Sequence, residues 1–301
     1  NITGIANVRA FLTRDRYQVR SQTRSEKIRA KTIPRLRDVI DDLYRADKKV
    51  IFTMGKGGVG KTTVAAAIAL GLSKRGRKVH LATTDPAGHL ESVIDESSGI
   101  TMSRIDERAE LKKYQDEVLS KARKTLSADD VAYIQEDLRS PCTQEIAVFR
   151  AFAEIVEKAE DRTVVIDTAP TGHTLLLLDS TQSYNREIRR SQGEIPQSAR
   201  KLLPRLRNSE QTEVVIVTLA EDTPVYEALR LEEDLKRAGI RAKWWVINSS
   251  FYRTGTTNRI LTAKANDEIE WINKIADHSK GNFAVIGWRP DAIKGNELLK
   301  L

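Results

Sequence analysis

A glycine-rich segment at residues 55–62, which reads G-K-G-G-V-G-K-T, constrains the fold of this chain more than any other feature. It fits the phosphate-binding pattern G-x-x-x-x-G-K-[ST] at every position. The mostly apolar residues 50–54 before it predict a buried strand, and residues 63–72 after it predict a helix. Glycines let such a loop wrap tightly, so that backbone N–H groups face phosphate oxygens where the helix begins. The alternative is a glycine-rich turn without a ligand.

The same pattern assigns roles to the polar side chains of the loop. Lys61 is expected to reach the β- and γ-phosphates of a nucleotide, and the Thr62 hydroxyl is expected to bind Mg²⁺. Lys56 is a second lysine at a position that the pattern leaves open, and its plain alternative is a solvated loop side chain. The expected nucleotide-binding residues of this segment are Gly55, Lys56, Gly57, Gly58, Val59, Gly60, Lys61, Thr62 and Thr63.

The rest of the chain alternates predicted strands and helices. Five further apolar runs predict strands at residues 78–85, 162–167, 213–219, 243–248 and 283–287. Near-continuous apolar strands are covered on both faces, which predicts an α/β fold with a mostly parallel sheet flanked by helices.

A long insertion separates the second predicted strand from the third. Residues 90–160 exceed an ordinary crossover, and their apolar residues recur at spacings of three and four. The pattern predicts a helical subdomain with helices at 111–122, 128–138 and 143–159.

Acidic residues end two of the predicted strands, at the edge where ligands of open α/β sheets bind. Asp85 is expected to orient or deprotonate an attacking water, or to reach Mg²⁺. Its alternative role is to cap the next helix. Asp167 occupies the expected Walker B position, with its carboxylate on Mg²⁺ or on a water bound to it.

Charge and cysteine content exclude several functional classes. The 301 residues carry a formal net charge of +8, but the basic residues are diffuse and lack interleaved aromatic residues, so no nucleic acid partner is expected. The single cysteine, Cys142, rules out a disulfide within the chain and suits a reducing compartment. No apolar run approaches the ~20 residues of a membrane span, and the N-terminus lacks a secretory apolar core. We therefore expect a cytoplasmic protein.

The loop with its second lysine resembles the deviant Walker A loop shared by nitrogenase iron protein, the cell-division ATPase, arsenite-transporting ATPases and the tail-anchored-protein targeting ATPase. The resemblance implies a SIMIBI-type P-loop NTPase that uses ATP and Mg²⁺. It also implies that Lys56 crosses a dimer-like interface to the nucleotide of the opposite half. Residues 167–173, D-T-A-P-T-G-H, are similar to a switch segment of the arsenite-transporting ATPases and their eukaryotic targeting relatives.

Two residues near the ends of the last predicted strands take base-binding roles by the same resemblance. Asn248 is expected to contact adenine, and Pro290 is expected in the loop that covers the base. The alternatives are that Asn248 caps a turn and that Pro290 simply ends a strand.

Residues 139–149, R-S-P-C-T-Q-E-I-A-V-F, resemble a metalloid-binding segment of the arsenite-transporting ATPases. The resemblance implies that Cys142 is a ligand of As(III) or Sb(III), with Ser140 and His173 in the same site. These soft ions prefer about three ligands led by thiolates, so further cysteines must come from another half or another protomer. The alternatives are a cysteine that only fills space and a buried, hydrogen-bonded histidine.

Resemblance also implies the domain organisation and the partners. Residues 1–49 look like the last helix of a preceding half followed by a linker, and residues 50–301 form the ATPase domain. Expected partners are a homologous N-terminal half or second protomer in a pseudo-twofold dimer, an integral-membrane arsenite permease and a metalloid chaperone. Binding to the permease would associate the protein peripherally with the membrane.

The leading functional hypothesis is therefore an ATPase that couples ATP hydrolysis to arsenite or antimonite extrusion. The alternative is a targeting ATPase for tail-anchored membrane proteins. Targeting ATPases of that kind expose a Met-rich helical groove, and some carry a C-x-x-C zinc-binding pair. This chain has only two methionines and no C-x-x-C pair, which disfavours that alternative. A third hypothesis is a non-enzymatic nucleotide switch, which calls for an amphipathic C-terminal helix, whereas residues 294–301 are short for that role.

Overall fold

The computed structural model of the protein describes residues 27–30, 32–85, 90, 93–94, 99–168 and 197–301, which form an α/β arrangement. The strands are β1 (Val50–Met54), β2 (Val79–Thr83), β3 (Thr101–Arg104), β4 (Thr163–Asp167), β5 (Thr212–Thr218), β6 (Ala242–Ser250) and β7 (Phe283–Gly287). The helices are α1 (Leu36–Arg45), α2 (Lys61–Ser73), α3 (Glu107–Thr125), α4 (Ala128–Asp137), α5 (Pro141–Glu157), α6 (Gln197–Arg207), α7 (Asp222–Arg237) and α8 (Arg259–His278). No helix within these ranges has the length and apolar character that crossing a membrane requires.

These strands form one sheet in the order β3-β2-β4-β1-β5-β6-β7, and every neighbouring pair is parallel. Because β4 lies between β1 and β2, the carboxyl ends of these three strands lie side by side at one edge of the sheet. Asp167 at the end of β4 pairs with Thr53 on one side and with Thr83 on the other. This register brings the phosphate loop and the two strand-end acids to the same edge, where ligands of such sheets bind.

Helices α5, α6, α7 and α8 cover one face of the sheet. Phe149 and Phe152 of α5 are fully buried there. The Phe152 ring stacks on that of Phe52 in β1, with 5.8 Å between ring centroids. The helix that carries Cys142 therefore packs directly on the strand that leads into the phosphate loop.

Helices α1 and α2 cover the opposite face. Residues 64–72 of α2 are all buried, because this helix lies between the sheet and its neighbours and has no solvent-facing side there. A Cβ atom at Gly71 would lie 2.8 Å from Cδ1 of Ile40, so the missing side chain lets α1 approach α2 closely. The apolar stripe of α1, which is Leu36, Val39, Ile40 and Leu43, is buried in this contact.

Helix α1 lies within residues 1–49, the range expected to precede the ATPase domain, and its apolar side chains share one core cluster with α2 and the strands. The stretch within residues 1–49 that resembles the last helix of a preceding half, residues 3–12, lies outside the described residues.

The structure has all six predicted strands and adds a seventh, β3, inside the predicted helical insertion. Strand β3 reads T-M-S-R and is partly exposed at the edge of the sheet, so it lacks the apolar run by which the other strands were predicted. Helices α3, α4 and α5 match the three predicted helices of the insertion. The first of these three helices begins at Glu107, a few residues before the predicted start at residue 111.

A buried histidine attaches the edge strand β3 to the sheet. His80 of β2 is 3% exposed, and its Nδ1 and Nε2 atoms lie 2.8 Å from the hydroxyls of Thr101 and Ser103. The Lys158 ammonium lies 3.2 Å from Nε2, so that nitrogen accepts and Nδ1 carries the proton. Burial, followed by the charges of Lys158 and Arg162, lowers the pKa of His80 from 6.5 to about 4. The ring is neutral at pH 7.

We expect His80→Gln to remove part of the acid sensitivity of folding. The depressed pKa means that the neutral ring stabilises the fold fully above pH 6.5, and that this contribution is lost as pH falls to about 4. One linked proton changes the free energy of unfolding by at most about 1.4 kcal/mol per pH unit. Urea unfolding of both proteins across that pH range measures the slope, and equal slopes would contradict the prediction.

Candidate nucleotide site

The phosphate loop begins with a glycine that no other residue can replace without moving the backbone. A Cβ atom at Gly55 would lie 2.1 Å from the carbonyl oxygen of Val217 in β5, and the residue has a φ of 154°. Backbone of the next strand therefore fills the space of a side chain. The tight entry of the loop depends on this contact between neighbouring parallel strands.

The loop ends at Gly60, directly before α2. Gly60 has a φ of 90°, in the left-handed region, and a Cβ atom there would lie 2.2 Å from Nδ2 of Asn248. This turn lets α2 begin at Lys61, so the first N–H groups of the helix, which lack acceptors within it, face the loop. Such an N-terminus favours phosphate oxygens.

Lys61 is buried in the loop rather than solvated, with 5% of its surface exposed. Its ammonium donates to the carbonyl oxygen of Lys56 at 3.1 Å. Burial lowers the pKa of Lys61, and the charges of Asp167 and Asp85 oppose that effect. The structure thus brings the predicted phosphate-binding lysine close to both predicted acids.

Asp167 and Thr62 meet across the strand–loop boundary. The Thr62 hydroxyl donates to Oδ2 of Asp167 at 2.7 Å, and the Thr83 hydroxyl donates to the same oxygen at 3.2 Å. Asp167 is 0% exposed, and burial raises its pKa from 3.8 to about 6. Its Oδ1 atom is buried without a hydrogen-bond partner among the described residues. A buried, incompletely satisfied carboxylate next to a hydroxyl is a donor set that suits Mg²⁺ and its bound water.

Asp85 lies two residues beyond the end of β2 and is half-buried. Its N–H donates to the Thr83 hydroxyl at 3.1 Å, and the preceding Thr84 N–H donates to the carbonyl oxygen of Asp167 at 2.9 Å. These bonds hold the segment after β2 against the end of β4. The hydroxyl of Thr83 therefore links both acids, a role that the sequence analysis missed although this residue ends a strand beside Asp85.

The second loop lysine contacts an acid from a distant helix. The Lys56 ammonium lies 2.9 Å from Oε1 of Glu227 in α7. Both side chains are 38% exposed, so solvent screens the pair. No local pattern marks Glu227 in the sequence, since an acid in the middle of a helix is usually solvated.

Asn248 and Pro290 lie near the carboxyl ends of β6 and β7. Asn248 lies near the end of β6, and its Nδ2 donates to the carbonyl oxygen of Val59 at 2.9 Å. Pro290 is exposed in the segment after β7, where the N–H of Trp288 donates to the carbonyl oxygen of Ser250 at 2.9 Å. The structure thus places Asn248 against the phosphate loop and ties the segment of Pro290 to the end of β6.

The predicted metalloid ligands are only partly described. Ser140 precedes α5, and its hydroxyl lies 3.0 Å from that of Thr143. Cys142 is the second residue of α5, but its side chain lies outside the described part of the structure, and His173 lies outside the described residues altogether. Among the residues that the structure describes, no group of three or more His, Cys, Asp or Glu side chains could hold a metal ion.

The chain has the features of a P-loop nucleotide-binding protein. They are a parallel sheet, a glycine-rich loop at the start of a helix, and the side chains of Lys61, Thr62 and Asp167 beside that loop. Within that class the chain belongs to the anion-transporting ATPase family, whose sequence profile matches residues 48–202 and 193–300.

Similar proteins support the same assignment. The chain is 44% identical over 84% of its length to the arsenical pump-driving ATPase of Escherichia coli, covering 44% of that protein. It is 42% identical over 83% of its length to the arsenical pump-driving ATPase of Acidiphilium multivorum, covering 43% of it. It is 26% identical to the ATPase GET3 of Malassezia globosa over 73% of this chain and 77% of that one. The chain thus spans less than half the length of the two arsenical pump relatives.

We expect Asp167→Asn to stabilise the protein at neutral pH in the absence of Mg²⁺ and nucleotide, because the buried charge is removed. Because the pKa is raised in the folded protein, the wild-type carboxyl does not lower the free energy of unfolding below pH 3.8. It lowers that free energy increasingly as pH rises to about 6. The melting temperature of the variant should therefore exceed that of the wild type by a few degrees, roughly, near pH 7. Thermal unfolding at several pH values tests this, and a difference that does not shrink toward pH 4 would contradict it.

Proposed function

We propose that this chain binds ATP with Mg²⁺ and hydrolyses it, as one catalytic unit of an arsenical pump-driving ATPase. The observation that carries the proposal is the meeting of Lys61, Thr62 and Asp167 at the carboxyl edge of the sheet. Lys61 binds the β- and γ-phosphates, while N–H groups of the loop and of the first turn of α2 bind their oxygens. The names of the two arsenical pump relatives support the choice of ATPase.

Thr62 and Asp167 are the residues that would hold Mg²⁺, directly or through its water molecules. Both offer the hard oxygen donors that this ion prefers. Oδ1 of Asp167 has no hydrogen-bond partner among the described residues, so its lone pairs are not used there, and a nearby cation would favour the ionised form that burial disfavours. When bound, Mg²⁺ neutralises charge on the β- and γ-phosphate oxygens.

Asp85 orients or deprotonates the water that attacks the γ-phosphorus. Its charge raises the pKa of Lys61, so it lies near the lysine that binds the terminal phosphate. The bond from its own N–H to Thr83 holds the backbone in place. Phosphoryl transfer depends mainly on such positioning and on electrostatic stabilisation.

Lys56 contributes to a second nucleotide, bound by a homologous half or another protomer across a pseudo-twofold interface. In that arrangement the Lys56–Glu227 pair must open, and the exposure of both side chains keeps its cost low. ATP would then hold the two halves together, and hydrolysis would release them.

Metalloid binding at Cys142, with Ser140 and His173, would draw the halves together and raise turnover. Since α5 packs on β1 through Phe152 and Phe52, the cysteine-bearing helix contacts the strand that enters the phosphate loop. The partners in this proposal are an arsenite permease in the membrane and a metalloid chaperone, with the protein in the cytoplasm and peripherally bound to the membrane.

The alternative function is targeting of tail-anchored membrane proteins, as the similarity to the ATPase GET3 suggests. The 26% identity to that protein is lower than the 44% to the arsenical pump-driving ATPase. The two methionines of this chain also offer little for a Met-rich groove. Indifference of ATP hydrolysis to metalloid would favour this alternative.

Asp85→Asn should retain ATP binding and lose turnover by a factor on the order of 10²–10⁴, as expected for loss of a general base. Its side chain keeps its size, while its ability to accept a proton is gone. Steady-state ATP hydrolysis and equilibrium binding of ATP with Mg²⁺ measure the two effects separately. Wild-type turnover in the variant would exclude Asp85 as the residue that activates water, and loss of binding would assign it to the nucleotide instead.

Antimonite should raise ATP hydrolysis by the wild type, and Cys142→Ala should abolish that rise while leaving the basal rate. The physical reason is the loss of a thiolate, the ligand that such soft ions prefer. The assay needs both the isolated chain and a longer protein with a preceding half, since one cysteine cannot fill a site of about three ligands. Equal stimulation of both proteins would remove Cys142 from the site.

A further inference from the structure

A bulge interrupts the pairing of β6 with β7 at the residue next to the phosphate loop. Ile247 pairs with Val285, but Ser250 pairs with Gly287, so β6 has one residue more than β7 in this interval. The extra length contains Asn248 and Ser249. Such bulges bend a strand and change the direction of a side chain.

The backbone at this bulge is strained. Ser249 has a φ of 54°, a left-handed conformation that is unfavourable for a residue with a side chain. Strain of this kind persists only where surrounding contacts hold the conformation. The bonds of the following residues show which contacts hold it.

The carboxylate of Glu268 in α8 holds the chain directly after the bulge. Glu268 is 3% exposed, and its Oε2 accepts from the Ser250 hydroxyl at 2.6 Å and from the Tyr252 N–H at 3.0 Å. Its Oε1 accepts from the Phe251 N–H at 3.0 Å. A buried carboxylate with three donors is a strong anchor, because hydrogen bonds to charged groups are worth more than neutral ones. The proposed hydrolysis of ATP does not use this acid.

The bulge brings Asn248 against the loop backbone. Its Nδ2 donates to the Val59 carbonyl at 2.9 Å, and Gly60 has no Cβ that would meet the same nitrogen. Because a carbonyl can only accept, the amide must face Val59 with its NH₂ group. The Oδ1 atom is then the end that could accept from a base amino group.

We propose that Asn248 is a positioning residue that braces the phosphate loop in its binding conformation, and that Glu268 sets this brace through the strained bulge. Four glycines make the loop costly to order. The hydrogen bond from Asn248 to the Val59 carbonyl orders the loop before a ligand binds, so less conformational entropy is lost on binding. This role is separate from contact with adenine, although its consequence for catalysis rests on the proposed ATPase function.

Backbone hydrogen exchange in the ligand-free protein tests the brace independently of ATP hydrolysis. Asn248→Ala and Asn248→Asp should each speed exchange at residues 57–62 by about two- to tenfold, the factor of one lost hydrogen bond. The aspartate keeps the size of the side chain but cannot donate to Val59 when ionised. The matched control is Asn282→Ala, which removes an equivalent 2.9 Å bond from Nδ2 to the Ser279 carbonyl, directly before β7.

Loop exchange at the wild-type rate in both folded Asn248 variants would overturn the proposal. The same holds if Asn282→Ala speeds loop exchange equally, because the effect would then reflect general destabilisation. Thermal unfolding of each variant shows which of them are folded.

The role of Glu268 is tested by Glu268→Gln and by the milder Ser250→Ala. Glu268→Gln removes one acceptor oxygen of the carboxylate, and Ser250→Ala removes one of its donors. Hydrogen exchange should therefore become faster at residues 249–252 and also at residues 57–62. The double variant Asn248→Ala with Glu268→Gln should exchange at the loop no faster than Asn248→Ala alone. Faster exchange confined to residues 249–252 would remove Glu268 from the brace.

Inorganic tripolyphosphate, which has no base, separates bracing from base contact. Asn248→Ala should weaken displacement of a fluorescent ATP analogue by tripolyphosphate with Mg²⁺ by about two- to tenfold. If Asn248 served only the base, the variant would weaken ATP and leave tripolyphosphate unchanged, which would contradict the proposal.

Discussion

The close approach of the phosphate loop to the strands beside it is the constraint on which the site depends. At its start the loop touches the Val217 carbonyl where Gly55 has no side chain, and at its end it touches Asn248 where Gly60 has none. Both contacts follow from a parallel sheet that places β1 next to β5, with β6 beyond it. Gly55 and Gly60 are therefore needed for close packing of the loop against the sheet as well as for its backbone conformation, and this packing restricts the shape of the loop.

The same sheet collects the charges of the site. Because Asp167 pairs with residues at the ends of both β1 and β2, its carboxylate receives the Thr62 and Thr83 hydroxyls and lies near Lys61. The site holds this acid at an energetic cost, as its pKa of about 6 shows. Buried ionisable groups whose hydrogen-bonding capacity is only partly used are typical of sites that bind a charged ligand. Stability given up at this position is consistent with a function that needs the carboxylate.

Sequence reasoning predicted the elements that have strong local patterns and missed those without them. Six strands, the helices of the insertion and the loop between β1 and α2 were predictable from apolar runs, periodicity and one motif. Strand β3 was missed because it is short, polar and held at the edge by His80 rather than by apolar burial. Glu227 and Glu268 gave no clear signal either, although Glu268 falls on the apolar stripe of α8 with Ala265 and Ile272, a pattern that marks a buried acid.

The sequence by itself determined the phosphate loop, the two strand-end acids and the class of fold, because each depends on residues that are neighbours in the chain. It also carried the resemblance that the family comparison confirmed. Only the tertiary structure decided that α1 belongs to the core, that Thr83 links Asp85 to Asp167, and that Asn248 contacts the loop carbonyl of Val59. These contacts join residues far apart in the chain, and their geometry comes from strand order and register, which local patterns do not specify.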